Sequence, residues 1–141
     1  MKTQNKTKKF ILLTALLGLL AWAGPKLLIE YLSHRFPALA SIEETHEISG
    51  LIVHILMVSI GLLMGYLQPA VKIWLWGIAG IISIPFYTFI EIGIDPYSHN
   101  LWPLEFIFTY PYFAGLIIAG ALLGKVINKK ISGKKIENKT I

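Results

Sequence analysis

The sequence predicts an all-α integral membrane bundle of four transmembrane helices, and two observations support that prediction. Hydrophobic residues make up 55% of the 141 residues and charged residues only 15%, a more apolar balance than soluble domains usually have. The charges are also segregated, because apolar stretches of membrane-spanning length alternate with short polar connections. We therefore expect the chain to contact the lipid bilayer.

The first predicted helix spans about residues 10–32 and follows a basic tail at residues 1–9. Two interpretations of this region remain open. Residues 1–23 have the basic start, the short apolar core and the small-x-small ending (Ala21-Trp22-Ala23) of a cleaved signal peptide. Apolar sequence resumes beyond Pro25, however, which favours an uncleaved transmembrane helix that is kinked at this proline.

Three further helices are predicted at about residues 42–67, 70–93 and 103–128. Pro85 lies within the third of the four predicted helices and Pro111 within the fourth, and each predicts a bend. Residues 129–141 form a second basic tail, for which the lysine-rich composition predicts disorder.

The basic residues are distributed asymmetrically. All except Lys26 and Arg35 fall in or beside the two tails or at Lys72, and these places share one side if four helices cross the membrane. The positive-inside rule places that side, with both termini, in the cytoplasm. We therefore predict a multi-pass protein of the cell membrane, specifically a bacterial inner membrane. No nucleic-acid partner is expected, because the lysines flank apolar runs.

Ionisable residues and glycines share one stripe of the second predicted helix, at 100° per residue. The stripe consists of Glu43, Glu47, Gly50, His54, Gly61 and Gly65. The Gly61-x-x-x-Gly65 spacing is typical of close helix packing in membranes. A histidine at the depth of His54 needs an internal partner. It is either a structural residue bonded to a carbonyl or hydroxyl group, or a ligand or proton carrier.

Two carboxylates of later helices are predicted at the same end of the bundle. Glu105 lies in the first turn of the fourth helix, where the helix dipole stabilises an anion. Glu91 ends the third helix, where the dipole disfavours it, so we expect it to pair with a cation, a proton or a metal. Its candidate cations are Lys26, Arg35 and a protonated His54. Lys26 is also spaced to pair with Glu30, four residues later.

Together these positions predict an acidic, histidine-containing pocket at the outer end of the bundle. Its expected polar chain consists of Glu47, His54, Tyr87, Glu91 and Glu105. A divalent metal ion is a possible ligand of this pocket. The candidate metal ligands are His46, Glu47, His54, Glu91, His99 and Glu105.

Complete catalytic and cofactor motifs are missing from the sequence. Glu43-x-x-His46 has the spacing used by di-iron bundles, but there is no second Glu-x-x-His. Haem is not expected, because no other helix offers a histidine at the depth of His54. There is no cysteine and no Gly-x-Ser-x-Gly nucleophile elbow. These gaps argue against an enzyme without excluding one.

Three functions follow from this interpretation. The first is a non-enzymatic accessory or cation-binding membrane protein, with other membrane subunits or further copies of itself as partners. The second is a component of a proton- or cation-coupled transporter that acts as an oligomer. The third is a metal-dependent membrane enzyme with its site at the outer face.

Overall fold

The computed structural model describes residues 2–36, 42–94 and 102–137, and these residues form helices joined by short connections. The helices are α1 (Lys2–Arg35), α2 (Ile42–Leu67), α3 (Ile73–Ile81), α4 (Ile84–Ile94), α5 (Trp102–Leu104), a π-helix (Glu105–Thr109) and α6 (Tyr110–Glu137). Within the described residues, four stretches are long and apolar enough to cross a membrane: Thr7–Arg35, Glu47–Leu67, Ile73–Ile94 and Phe106–Gly133. The predicted all-α bundle with four membrane spans is confirmed.

The first and last helices are longer than predicted. α1 begins at Lys2 rather than near residue 10, and α6 continues to Glu137 rather than ending near residue 128. Residues 129–137 are therefore helical, although their composition predicted disorder. Lysine and glutamate are good helix formers, and no proline follows Pro111, so each helix can continue past its apolar run.

The third span is divided at Ile82 and Ser83, between α3 and α4. Pro85 has no N–H group, so the carbonyl of Ile81 loses the donor that would continue the helix. Pro85 lies in the first turn of α4, where backbone N–H groups have no partner within the helix, so the missing N–H of proline costs α4 no hydrogen bond. The bend predicted at this proline is confirmed as a break between two helices.

Pro111 follows the π-helix that begins the fourth span. This proline cannot donate to the carbonyl of Ile107, and the wider π-helical turn lies directly over that missing bond. The irregularity predicted at Pro111 is therefore present just before it. Pro25, in contrast, lies within the unbroken helix α1.

The most extensive helix contact joins α2 and α6, which run parallel. On α2, Gly61 lies against the backbone of Ile117, so that a Cβ atom there would be 2.8 Å from the Ile117 carbonyl carbon. Gly65, one turn later, lies against the backbone of Ala121 in the same way. The prediction that the Gly61/Gly65 stripe packs against another helix is confirmed, and that helix belongs to the same chain.

Two glycines of α6 pack against the backbone of α2 in the same contact. A Cβ atom on Gly120 would lie 2.9 Å from the backbone nitrogen of Leu62, and one on Gly124 would lie 2.7 Å from that of Tyr66. Each helix therefore has a Gly-x-x-x-Gly pair that admits the backbone of the other, the arrangement that favours close packing in membranes. Asn128 completes the contact, because its Nδ2 donates to the Tyr66 carbonyl over 2.8 Å.

Helix α1 closes the bundle against α3 and α2. Gly18 of α1 lies directly against Gly80 of α3, where a Cβ atom would be 2.9 Å from the Gly80 Cα. Thr14 is fully buried at the same contact, and its hydroxyl donates to the Phe10 carbonyl over 2.7 Å. The α1–α3 contact therefore places the ends of α1 and α4 side by side.

Candidate functional site

An ion pair joins the first and third spans. The Lys26 Nζ lies 2.8 Å from Oε1 of Glu91, linking α1 to α4. The Glu91 side chain is only 19% exposed and the Lys26 side chain 53% exposed, so the carboxylate is the more deeply placed partner. The prediction that Glu91 pairs with a cation is confirmed, with Lys26 as the cation.

The predicted pairing of Lys26 with Glu30 is wrong in the part of the chain that the structure describes. Both residues lie on α1 at the expected spacing, and Lys26 turns to Glu91 of the neighbouring helix instead. The reason is electrostatic. Glu30 is exposed, whereas Glu91 is partly shielded from solvent, and an ion pair is stronger where the local dielectric constant is lower.

Tyr87 lies one helical turn before Glu91, on the same face of α4, and its hydroxyl is close enough to interact with the Glu91 carboxylate. Glu30 of α1 is close enough to act electrostatically on Tyr87. Two residues from each helix, both pairs at i,i+4 spacing, therefore gather where α1 meets α4. We call Lys26, Glu30, Tyr87 and Glu91 the polar cluster. With one ammonium and two carboxylates, its formal charge is negative.

His54 lies elsewhere, on the face of α2 that packs against α6. Its Nδ1 is 2.5 Å from the carbonyl oxygen of Gly50, one turn earlier in the same helix. Its ring packs against Tyr112 and Phe113, with ring centroids 5.5 and 5.4 Å away. A neutral histidine donating from Nδ1 satisfies this arrangement, so the carbonyl partner expected for a structural histidine is present.

The remaining predicted site residues are described only in part. Glu47 is exposed in the first part of α2. His46 and Glu105 lie in described helices, but their side chains are outside the described part of the structure, and His99 lies outside the described residues altogether. The structure thus unites Tyr87 with Glu91 and places His54 on another helix pair. The polar chain linking all five predicted residues stays a prediction.

The possible metal site also stays a prediction. Among the side chains that the structure describes, no three histidine, aspartate or glutamate residues are grouped so that they could hold a metal ion. Three of the six candidate ligands, His46, His99 and Glu105, lie outside those side chains. The described geometry supports an ion pair with an attached tyrosine, which is a structural and electrostatic arrangement.

Sequence reasoning missed a buried hydrogen bond beside the polar cluster. The hydroxyl groups of Thr88 and Tyr110 are 2.6 Å apart, and the two residues are 0% and 3% exposed. This bond joins α4 to the start of α6. A threonine next to Tyr87 in an otherwise apolar helix was the available signal, because a buried hydroxyl needs a partner.

Trp74 and Trp76 lie near the start of the third span, where tryptophan is typically found at the headgroup level. Trp74 is half-exposed, as such a position requires, but Trp76 is fully buried in the core. Its indole Nε1 has no hydrogen-bond partner among the described residues. Gly77 and Gly80 bring α3 close to α6 and α1, and this close approach turns Trp76 inward.

No protein-family model matches the chain, and no curated protein or solved structure is significantly similar to it.

Proposed function

We propose that this protein is a non-enzymatic accessory subunit of a membrane assembly. One observation carries the proposal: the charge that Glu91 brings into the third span is held by the chain's own Lys26, over 2.8 Å. An intramembrane charge that belongs to a reaction or transport site is expected to face a ligand or a water-filled path. Here the ammonium of the chain's own Lys26 holds the carboxylate, so the pair acts to hold two helices together.

The helix that this pair holds buries little of its surface, although its Thr88 is hydrogen-bonded to Tyr110. Only Ile84 and Thr88 of α4 are buried, whereas Phe86, Ile90 and Ile94 are exposed on one face at four-residue spacing. Lipid is the default neighbour of such a face, and a transmembrane partner subunit has the same apolar character. We infer that the Lys26–Glu91 pair fixes the position of α4 and thereby the shape that the bundle offers to its partners.

The test is purification from native membranes in a mild detergent, with the masses of intact complexes measured. We expect the wild type to purify with a defined partner in a fixed ratio. The Glu91→Gln variant should lose this partner while remaining folded itself. Glu47→Gln is the control, because Glu47 is an exposed acid at the same end of the bundle and should retain the partner. A protein that elutes alone from every mild detergent would contradict the proposal.

A second candidate is cation binding at the polar cluster. It is favoured by the two carboxylates of the cluster, Glu30 and Glu91, which lie where α1 meets α4. The expected result is a stoichiometric cation in the purified protein, or a cation or proton flux into liposomes that contain it, either of which Glu91→Gln abolishes. A bound metal without flux would favour a metal-dependent role, and flux would favour a transporter component.

We further propose that both termini face the cytoplasm and that every copy inserts in this one orientation, as the lysine distribution favours. The four spans themselves suggest a multi-pass membrane protein.

A further inference from the structure

Basic side chains gather at the end of the bundle where α1 and α3 begin and α6 ends. The described ones are Lys8, Lys9, Lys72, Lys125, Lys129 and Lys130, and all but the partly shielded Lys125 are exposed. The acids whose side chains the structure describes (Glu30, Glu47 and Glu91) lie at the opposite end. Glu137 is the one acid placed by sequence at the basic end, and its side chain is outside the described part. This surface therefore carries strong positive charge.

Helix packing fixes the level of these lysines on α1. Because Gly18 lies against Gly80 and the two helices run parallel, Lys72 is level with about residue 10 of α1. Residues 2–9 therefore extend past the start of α3. At 1.5 Å per residue this helical extension is about 12 Å long.

The same reasoning applies to α6. The bond from Asn128 to the Tyr66 carbonyl lies in the last turn of α2, so residues 129–137 continue past the end of α2 without a neighbouring span. This second extension is about 13 Å long at 1.5 Å per residue. Trp74, half-exposed near the start of α3, marks the headgroup level beside both extensions.

The dimensions match a headgroup layer. The polar region of a bilayer adds about 5–8 Å on each side of the hydrocarbon, so extensions of about 12 Å cross it completely. Lys125 and Lys129 are like charges at i,i+4 spacing, which destabilises a helix unless an anion lies between them. Near the start of this extension Ile127 and Ile131 are 41% and 46% exposed, an apolar pair suited to the boundary between headgroups and acyl chains.

We propose that this basic end binds anionic phospholipid headgroups of the surrounding bilayer. The site consists of the exposed and partly shielded lysines named above, which lie on or beside the two helical extensions at headgroup depth. Orientation in the membrane requires only that lysines be numerous on one side, whereas this inference assigns them a ligand. Lipid phosphate is favoured over a soluble acidic partner because the lysines lie where the bilayer's own phosphates are.

Native mass spectrometry of the detergent-solubilised full chain tests the proposal. The protein is mixed with equal amounts of phosphatidylglycerol and phosphatidylcholine that have identical acyl chains, and the two adducts are counted. The wild type should retain the anionic lipid preferentially, and more ammonium acetate should weaken that preference. Each lysine near a charged surface contributes about five-fold in affinity, so Lys129→Gln with Lys130→Gln should lower the preference about thirty-fold.

Two variants serve as controls. Lys129→Arg with Lys130→Arg keeps both charges and should keep the preference. Arg35→Gln removes an exposed charge at the opposite end and should also leave it unchanged. If a folding defect obscures the first variant, Lys8→Gln with Lys9→Gln tests the other extension.

Three results would overturn the proposal. One is equal retention of the two lipids by the wild type. Another is a preference that survives the glutamine substitutions on both extensions. The third is displacement of phosphatidylglycerol by inorganic phosphate or by soluble poly-glutamate, which would identify a free anion or an acidic protein as the ligand.

Discussion

The close contact of α2 with α6 gives a direct test of the bundle, because α6 carries two glycines in opposite surroundings. Gly120 lies against α2, whereas a Cβ atom on Gly115 would meet nothing within 4 Å. Gly120→Ala and Gly115→Ala are therefore the same chemical change in the same helix. They differ only in what the added methyl group meets.

The expected difference can be worked from the distances. An alanine Cβ at Gly120 would lie 2.9 Å from the Leu62 nitrogen and closer still to the Val58 carbonyl oxygen, whereas ordinary contacts are 3.4–4 Å. The helices must separate by at least about 0.5 Å, and a gap of that size forfeits about a quarter of each contact's attraction. We expect a loss of about 2–3 kcal/mol. Gly115→Ala should be neutral or stabilise by up to about 1 kcal/mol, since alanine favours the helix.

The assay is equilibrium unfolding of detergent-solubilised protein by increasing mole fraction of sodium dodecyl sulfate, followed by tryptophan fluorescence. The midpoint for Gly120→Ala should fall well below that of the wild type, and the midpoint for Gly115→Ala should not. If both variants lose stability equally, the cost comes from the glycine backbone itself, and the packing explanation is refuted. If neither does, α2 and α6 do not approach each other as closely as the structure shows.

Four further predictions follow from other contacts. Glu91→Gln leaves the half-exposed Lys26 without its carboxylate and should lower the free energy of unfolding by about 1 kcal/mol, and Lys26→Met in the same chain should recover part of that loss. Thr88→Val removes a hydrogen-bond partner of Tyr110 and should cost about 1 kcal/mol, with a coupling to Tyr110→Phe visible in a double-mutant cycle. N-terminal sequencing of the mature protein should find residues 1–23 retained, because cleavage would remove the buried helix contacts of α1. Reporter fusions after residues 38, 69, 99 and 135 should report outside, inside, outside and inside; an inside result after residue 99 would contradict the charge argument.

The helix faces could be predicted from the sequence because the pattern that defines them is local. Gly61, Gly65 and His54 share one face of α2 by spacing alone, and in the structure that face packs against α6. The carbonyl partner expected for a structural His54 is Gly50, only one turn away on the same helix. Spacing along one helix was sufficient for each of these predictions.

Partners on other helices were harder to predict. Glu91 needed a cation, but the choice of Lys26 depends on α1 and α4 lying side by side, which no spacing within one helix reveals. The depth of Trp76 likewise depends on how closely α3 approaches its neighbours. Helix ends were missed for a different reason. Hydrophobicity reports where a chain meets lipid, and α1 and α6 remain helical beyond that boundary.

The pairing of the second span with the fourth also has a consequence for biosynthesis. Gly61 contacts Ile117 of the fourth span, so the most extensive contact of the bundle cannot form until that span has been synthesised. Until then the glycine face of α2 lies open to lipid or to insertion factors. A nascent chain that stops before α6 leaves Gly61 and Gly65 of α2 uncovered, and this exposed glycine face distinguishes it from the finished bundle.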